Sequence, residues 1–88
     1  MDLNKLRNEI NRIDDEILGL FLRRMALAKQ VAEYKQANGL PIYQPQREQE
    51  ILESVSERSG ELGGYARELF TTLMALSRQY QRDQGVTT

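Results

Sequence analysis

The stretch LNKLRNEINRIDDEILGLFLRRMALAKQVAEYKQA, residues 3–37, carries a seven-residue repeat that decides the fold. Counted from Leu3, the first and fourth positions of each repeat are apolar except at Arg24. Such spacing puts one continuous apolar stripe along a helix, so the stretch predicts a single long α-helix. The apolar members of this stripe, called the seam below, are Leu3, Leu6, Ile10, Ile13, Ile17, Leu20, Leu27, Val31 and Tyr34.

The rest of the chain predicts two shorter helices in the same domain. Asp2 suits the N-cap of the first helix, and Asn38-Gly39 suits its end. Pro45 suits the first turn of a second helix, and Ser59-Gly60 with Gly63-Gly64 separate that helix from a third. We therefore expect an all-α fold, one domain over residues 1–88, with helices at about residues 3–37, 45–58 and 65–82.

Two faces of the predicted third helix differ in character. One is an apolar stripe, and we expect it to face the core. A neighbouring face begins apolar and ends polar, so it is suited to contribute polar groups to a site. The apolar stripe consists of Leu69, Leu73, Leu76 and Tyr80, and the mixed face consists of Phe70, Met74, Ser77 and Gln81.

The first helix is too long for a monomer of this size. At about 1.5 Å per residue it extends roughly 50 Å, whereas a compact domain of 88 residues is about 30 Å across. We therefore expect a second copy to cover part of the seam, which gives an intertwined helical homodimer. If two first helices cross antiparallel near their midpoints, Arg7 of one chain reaches the partner between Arg24 and Lys35.

The composition excludes much common chemistry. The chain has 88 residues, a net charge of −1 and neither Cys nor His. A near-neutral charge gives no field for nucleic acid, and no apolar run of about 20 residues is present to cross a membrane. Without thiolate or imidazole we expect no metal, no cofactor and no covalent catalysis. The lack of an export signal favours the cytoplasm.

Polar residues beside the apolar stripes converge on one predicted pocket. Arg24 and Lys35 lie about 16 Å apart along the first helix, which is the span of a small-molecule site. Several cations with one carboxylate and neutral donors suit a small di-anionic ligand. The candidate residues are Arg24 and Lys35, Arg7 of the partner copy, Arg47 and Glu48 at the start of the second helix, and Ser77 and Gln81 on the third.

Each candidate also has an ordinary explanation on its own. An Arg in a heptad stripe often only fixes register or oligomeric state. A Lys near a helix C-terminus interacts favourably with the helix dipole, and a Ser within a helix usually bonds its own backbone. The other arginines considered are expected to lie in solvent, and they are Arg12, Arg23, Arg58, Arg67, Arg78 and Arg82.

The candidates follow one another in a characteristic order. The pieces are Arg7, INRIDDEIL with Asp14, LFLRRMALA with Arg24, Lys35, Arg47-Glu48, and SRQYQ with Ser77 and Gln81. This ordered set resembles the all-helical chorismate mutases, the AroQ class, over about residues 3–82. The resemblance implies an intertwined dimer with two sites at the subunit interface. It also implies the Claisen rearrangement of chorismate to prephenate, on the route to phenylalanine and tyrosine.

The resemblance further implies a role for each matched residue. Lys35 and Gln81 reach the ether oxygen of chorismate, Arg24 binds a carboxylate, and these three are the implied catalytic residues. Glu48 holds the substrate hydroxyl. The full set of implied substrate-binding residues is Arg7 from the partner chain, Arg24, Lys35, Gln44, Arg47, Glu48, Ser77 and Gln81.

Gln44 departs from the family pattern, because many members carry an Asp there that contacts the hydroxyl or caps the second helix. Gln is a poorer N-cap, which leaves Glu48 as the main candidate for the hydroxyl. Two other functions stay open: an isochorismate-pyruvate lyase on the same fold, and a non-catalytic dimerisation or regulatory module. The family also occurs fused to other enzymes of aromatic biosynthesis, and the sequence is compatible with an excised domain.

Overall fold

A computed structural model describes residues 2–85 of the chain. It contains three α-helices, α1 (Leu3–Ala37), α2 (Pro45–Arg58) and α3 (Gly63–Asp83), with a short 3-10 turn at Gly60–Leu62. The prediction of an all-α fold with one very long helix is confirmed. The element α1 sets the shape, since the molecule measures 55 × 25 × 14 Å.

Local signals in the sequence account for both ends of α1. The Asp2 side chain accepts a hydrogen bond from the backbone N–H of Asn4 at 2.9 Å, so the expected N-cap is present. At the other end Gly39 has a φ of +68°, a left-handed conformation that favours glycine. The N–H of Leu40 then donates back to the Lys35 carbonyl at 2.7 Å. The helix therefore ends two residues after the predicted pocket residue Lys35.

The loop between α1 and α2 is anchored by one apolar side chain. Ile42 is 3% exposed and packs with Ala32 of α1, which is 0% exposed. Burying this side chain fixes the backbone of the loop against the C-terminal end of α1. The start of α2 is thereby brought beside the last turns of α1.

The connection between α2 and α3 differs from the prediction at two glycines. Gly63 and Gly64 were expected to break the chain, but they form the first turn of α3, so this helix starts earlier than predicted. The reversal occurs instead at Gly60, where φ is +55°. At Gly63 a Cβ would lie only 2.7 Å from the carbonyl oxygen of Ser56, so glycine there lets α3 pack closely on α2.

The buried face of α3 is the mixed face, and the core-stripe prediction is wrong for the single chain. Met74, Ser77 and Gln81 are buried, whereas Leu69 and Leu76 are 57% and 45% exposed. The physical reason is that α3 packs on α1 and α2 through one side only. Within its apolar stripe, Leu73 and Tyr80 are only partly buried and Leu69 and Leu76 stay exposed.

The seam of α1 is likewise uncovered. All nine of its apolar side chains are exposed, from 38% at Leu6 to 65% at Tyr34. No large side chain among residues 2–85 is fully buried. Because burial of apolar surface drives folding, a chain with this much apolar surface in water needs a further partner surface. The homodimer stays a prediction that this exposure supports.

Candidate active site

A cavity of about 310 Å³ lies between the second half of α1, the start of α2 and the second half of α3. Its walls combine charged and amide side chains with apolar ones. Of the eight residues predicted to bind substrate, seven line this one cavity: Arg24, Lys35, Gln44, Arg47, Glu48, Ser77 and Gln81.

Arg24 is held by a hydrogen bond between α1 and α3. Its Nη1 donates to the hydroxyl oxygen of Ser77 at 2.7 Å. Ser77 is buried, and its hydroxyl donates in turn to the Leu73 carbonyl at 2.9 Å. The Ser therefore makes the expected backbone bond and also accepts from Arg24. The guanidinium is fixed at the cavity wall, with donors left for an anionic ligand.

Lys35 lies at the opposite end of the cavity, in the last turn of α1. Its Nζ donates to the carbonyl oxygen of Ile42 at 3.0 Å. Burial lowers the pKa of Lys35 below its ordinary value of 10.5, and the nearby carboxylate of Glu48 partly opposes that shift. One acceptor cannot use all three ammonium hydrogens, so the group keeps donors for a ligand.

Gln81 presents an unpartnered acceptor to the cavity wall. The side chain is 6% exposed, and its Nε2 donates to the Ala28 carbonyl at 3.0 Å. Its Oε1 is buried and has no hydrogen-bond partner among residues 2–85. A buried polar atom without a partner costs about 1–3 kcal/mol, so such atoms are rare outside functional sites. A donor from a ligand, a water molecule or a second chain is needed there.

Glu48 forms an ion pair with Arg78, a residue that the sequence analysis placed in solvent. The Nη1 atom of Arg78 contacts both carboxylate oxygens of Glu48. The guanidinium also lies over the ring of Tyr43, 4.9 Å from its centroid. The expectation for Arg78 was therefore wrong. Its spacing of four residues from Met74 and three from Gln81 already placed it beside the mixed face of α3.

The remaining two predicted residues that line the cavity lie at the start of α2. Arg47 is exposed at the mouth of the cavity. Gln44 precedes α2 and makes no side-chain capping bond, in agreement with its weakness as an N-cap. Its Nε2 donates instead to the Pro41 carbonyl at 3.0 Å.

Arg7 is the one predicted contact that the chain does not bring to the cavity. It lies exposed in the N-terminal half of α1, beyond the region covered by α2 and α3. A place for it in this site requires a second chain.

None of the helices within residues 2–85 is long and apolar enough to span a membrane.

The charges in the cavity are unbalanced towards positive. Arg24, Lys35 and Arg47 line it, while the carboxylate of Glu48 is neutralised by Arg78. A partly enclosed site with several cations and few counter-charges attracts small anions. With the donors of Arg24 and Lys35 at opposite ends, it suits a ligand with two separated negative groups.

Comparison with known proteins gives one consistent result. The profile of a family described as Chorismate mutase type II matches residues 6–82. A bifunctional chorismate mutase/prephenate dehydratase of Aquifex aeolicus is 46% identical over 63 residues, which cover 72% of this chain and 17% of that protein. A chorismate mutase of Methanocaldococcus jannaschii is 43% identical over 53 residues, 60% of this chain and 54% of that protein.

A third relative extends over more of both chains. It is an intracellular chorismate mutase of Mycobacterium tuberculosis, 34% identical over 77 residues, which cover 88% of this chain and 70% of that protein. The chain thus spans less than a fifth of the bifunctional Aquifex protein and about half of the archaeal one. No solved structure matches the chain with significance.

Proposed function

Because the chain belongs to the chorismate mutase type II family, we propose that it catalyses the Claisen rearrangement of chorismate to prephenate. This is the branch step towards phenylalanine and tyrosine. The observation that carries the proposal is that one cavity is lined by Arg24, Lys35 and Gln81, whose buried Oε1 has no hydrogen-bond partner among residues 2–85. Chorismate has two carboxylates and an ether oxygen between them, which match these groups in number and kind.

The reaction requires neither a nucleophile nor a proton transfer. In a Claisen rearrangement the ether C–O bond breaks as a C–C bond forms, within one molecule. Catalysis needs the flexible substrate held in a compact, chair-like conformation, which removes much of the entropic barrier. It also needs positive charge where the breaking bond leaves negative charge on the ether oxygen. The absence of Cys and His from the sequence is compatible with both requirements.

Arg24 and Lys35 are proposed to act on different parts of the substrate. The guanidinium of Arg24, steadied by Ser77, pairs with one carboxylate. The ammonium of Lys35 reaches the ether oxygen and a carboxylate. Since charge on the ether oxygen grows towards the transition state, the Lys35 interaction strengthens along the reaction and raises kcat. The Arg24 contact is similar in both states and acts mainly on KM.

Gln81 is proposed to complete the contact with the ether oxygen. One hydrogen of its Nε2 is used by the Ala28 carbonyl. The second hydrogen is available to the substrate. The buried Oε1 then needs a donor from the bound substrate, water or the partner chain. A neutral amide in this place needs no proton uptake to donate.

The hydroxyl end of chorismate is proposed to lie at the start of α2. Glu48 accepts a hydrogen bond from the ring hydroxyl of the substrate and keeps its ion pair with Arg78. Arg47 stands at the mouth and supports a carboxylate. Gln44 lines the same end, and its amide is bound to Pro41 rather than to the start of α2.

The functional unit is proposed to be a homodimer with two sites. The exposed seam of α1 and the exposed stripe of α3 give the area for such an interface. An antiparallel crossing of two α1 helices carries Arg7 of each chain to the site of the other. There it adds the cation for the second substrate carboxylate. Helical bundles build their ligand sites from side chains on facing helices, which such a dimer would provide.

We also propose a cytoplasmic location. The support is the mycobacterial relative, whose name describes it as intracellular and which aligns with 88% of this chain. Expression of the full chain followed by cell fractionation tests the location directly.

The experiment that tests the function is incubation of the purified protein with chorismate, followed by its loss in the ultraviolet. We expect prephenate as the product, identified by its conversion to phenylpyruvate in acid. The Arg24→Ala variant is the negative control, and Arg23→Ala is the matched positive control because Arg23 is exposed on the outer side of α1. Salicylate and pyruvate from isochorismate would instead identify a lyase. No turnover of either substrate would identify a binding or dimerisation module.

A further inference from the structure

Arg78 lies at the cavity without an assigned part in the reaction. It is on α3, next in sequence to Ser77, and it is among the residues that line the site. Its side chain is 24% exposed, and that of its partner Glu48 is 21% exposed, so the pair is largely withdrawn from water. An ion pair in this setting is far less screened than a surface pair.

The Glu48 carboxylate has two cations within reach. One is Arg78, with which it forms the only salt bridge found among residues 2–85. The other is Lys35, whose titration is affected by the charge of Glu48. Lys35 nevertheless donates to the Ile42 carbonyl and not to that carboxylate. The structure therefore separates the Lys35 ammonium from the one counter-charge that would neutralise it.

Two adjacent loop residues hold the two cations apart. The carbonyl oxygen of Ile42 accepts from Lys35, and the ring of Tyr43 lies under the guanidinium of Arg78. Ile42 is itself fixed by burial against Ala32. A cation over an aromatic face gains a further attraction that keeps the guanidinium flat against the ring. The loop thus sets the position of both cations relative to Glu48.

We infer that Arg78 is a positioning residue, which holds the Glu48 carboxylate against α3 and so keeps the Lys35 ammonium unpaired for an anionic ligand. Without Arg78, the partly buried carboxylate would have Lys35 as a remaining cation in the same cavity, and an unpaired charge withdrawn from water is costly. The carboxylate would turn towards Lys35. That movement would take Glu48 away from the substrate hydroxyl. It would also neutralise the Lys35 ammonium that is proposed to contact the ether oxygen.

The first test measures Lys35 in the free protein and needs no substrate. The ammonium titration is followed by NMR of the lysine side chain in wild type, Arg78→Gln and Arg82→Gln. Arg82 is the matched control, since it is exposed one turn further along α3. The other charged groups that line the cavity with Lys35 are Arg24 on α1, Arg47 and Glu48 on α2 and Arg78 on α3.

We expect the pKa of Lys35 to be higher in Arg78→Gln than in wild type, because burial still lowers it but the carboxylate now lies closer. The Arg82→Gln protein should titrate like wild type. An unchanged Lys35 pKa in folded Arg78→Gln would overturn the inference. Circular dichroism shows whether each variant is folded.

The second test is kinetic, and it rests on the proposed function. Arg78→Gln should lower kcat/KM by about 10- to 100-fold, as expected for a misplaced site group. In an E48Q background the same substitution should cause no further loss, because Arg78 acts only through Glu48. Equal losses in both backgrounds would show that Arg78 contacts the substrate itself, and the inference would fail.

Conservative variants separate positioning from simple folding. Arg78→Lys keeps a positive donor for Glu48 and should recover most of the activity lost in Arg78→Gln. Tyr43→Phe should behave like wild type, whereas Tyr43→Leu removes the ring under the guanidinium and should lose activity in part. If Arg78→Gln does not fold, the pKa of Lys35 is measured by NMR in the Arg78→Lys and Tyr43→Leu proteins instead. Wild type without turnover would refute the proposed function alone, since the titration decides on Arg78 independently.

Discussion

Arg24 and Ser77 are 53 positions apart in sequence, yet the Nη1 of one lies 2.7 Å from the hydroxyl oxygen of the other. This contact ties α1 to α3 at the wall of the cavity. It also explains why a charged residue occupies a position of the seam that is otherwise apolar. The guanidinium turns away from the seam towards a buried acceptor on the neighbouring helix.

Ser77→Ala removes that acceptor while leaving the cavity intact. A hydrogen bond to a charged group contributes about 1.5–3 kcal/mol, so we expect KM for chorismate to rise roughly tenfold with a smaller change in kcat. Steady-state kinetics measure the changes in KM and kcat separately. Ser54→Ala is the matched control, because Ser54 also accepts from an arginine, Arg58, but is exposed outside this cavity. Equal effects of both substitutions would contradict a specific role for Ser77.

Lys35→Ala removes the cation proposed to face the ether oxygen. We expect kcat to fall by about 10²–10³, the typical cost of one oxyanion-type contact. Arg23→Ala, on the outer side of the same helix, should change kcat little. The folded content of each variant is compared by circular dichroism. A Lys35→Ala protein with near-normal kcat would refute the role.

Activity should also be lost at alkaline pH. Burial lowers the pKa of Lys35 below 10.5, with Glu48 partly opposing, and the protonated ammonium is the active form. Activity is therefore full below this lowered pKa and falls as the pH rises through it. The measurement is kcat against pH. Lys35→Arg, whose guanidinium does not titrate in this range, should flatten the alkaline limb; an unchanged limb would assign it to another group.

Gln81→Glu should replace a neutral amide with a carboxyl group that can donate a hydrogen bond only at acid pH. The native Nε2 donates to the Ala28 carbonyl, and a carboxylate can donate to that oxygen only when protonated. The pKa of the introduced carboxyl is therefore raised in the folded protein. Both activity and stability should be greatest at acid pH and fall as the pH rises through that pKa. Gln46→Glu, exposed on α2, should keep the wild-type profile, and a flat profile for Gln81→Glu would contradict this account.

Complementation between two inactive variants tests the donation of Arg7. Arg7→Ala and Lys35→Ala should each be nearly inactive as pure proteins. Mixed dimers formed by co-expression contain one site with both native residues, so random mixing should restore about a quarter of wild-type sites. The control is a mixture of the Arg7→Ala protein with the double variant Arg7→Ala/Arg23→Ala. It should restore no activity, because neither chain has Arg7. Activity that stays at the level of the separate variants would place Arg7 outside the partner's site.

The sequence predicted the long helix well because its period is regular over ten positions and its ends carry recognisable caps. It also predicted that Arg24, Lys35 and Gln81 line one cavity, because Arg24 interrupts the seam and the other two lie beside apolar stripes. It misplaced Arg78 because a charged residue beside a helix face is by default solvated. The partner, Glu48, lies 30 positions away, and no local pattern pairs them.

The apolar stripe of α3 shows a second limit of sequence reasoning. Periodicity finds which residues of a helix share a face, but not which neighbour covers that face. Leu69 and Leu76 form a real stripe, yet they are exposed in the chain, and the buried face is the one with Ser77 and Gln81. Which of two adjacent stripes meets α1 depends on how α3 leaves the turn at Gly60.

The uncovered seam of α1 has a consequence for folding as a process. If the proposed homodimer forms through this surface, a chain that buries so little by itself gains much of its stability from a second copy, and folding becomes a bimolecular reaction. Its midpoint of denaturation should climb with concentration, and extreme dilution should both unfold and inactivate it. The stability of a newly made chain would then depend on the concentration of the same chain already present in the cell.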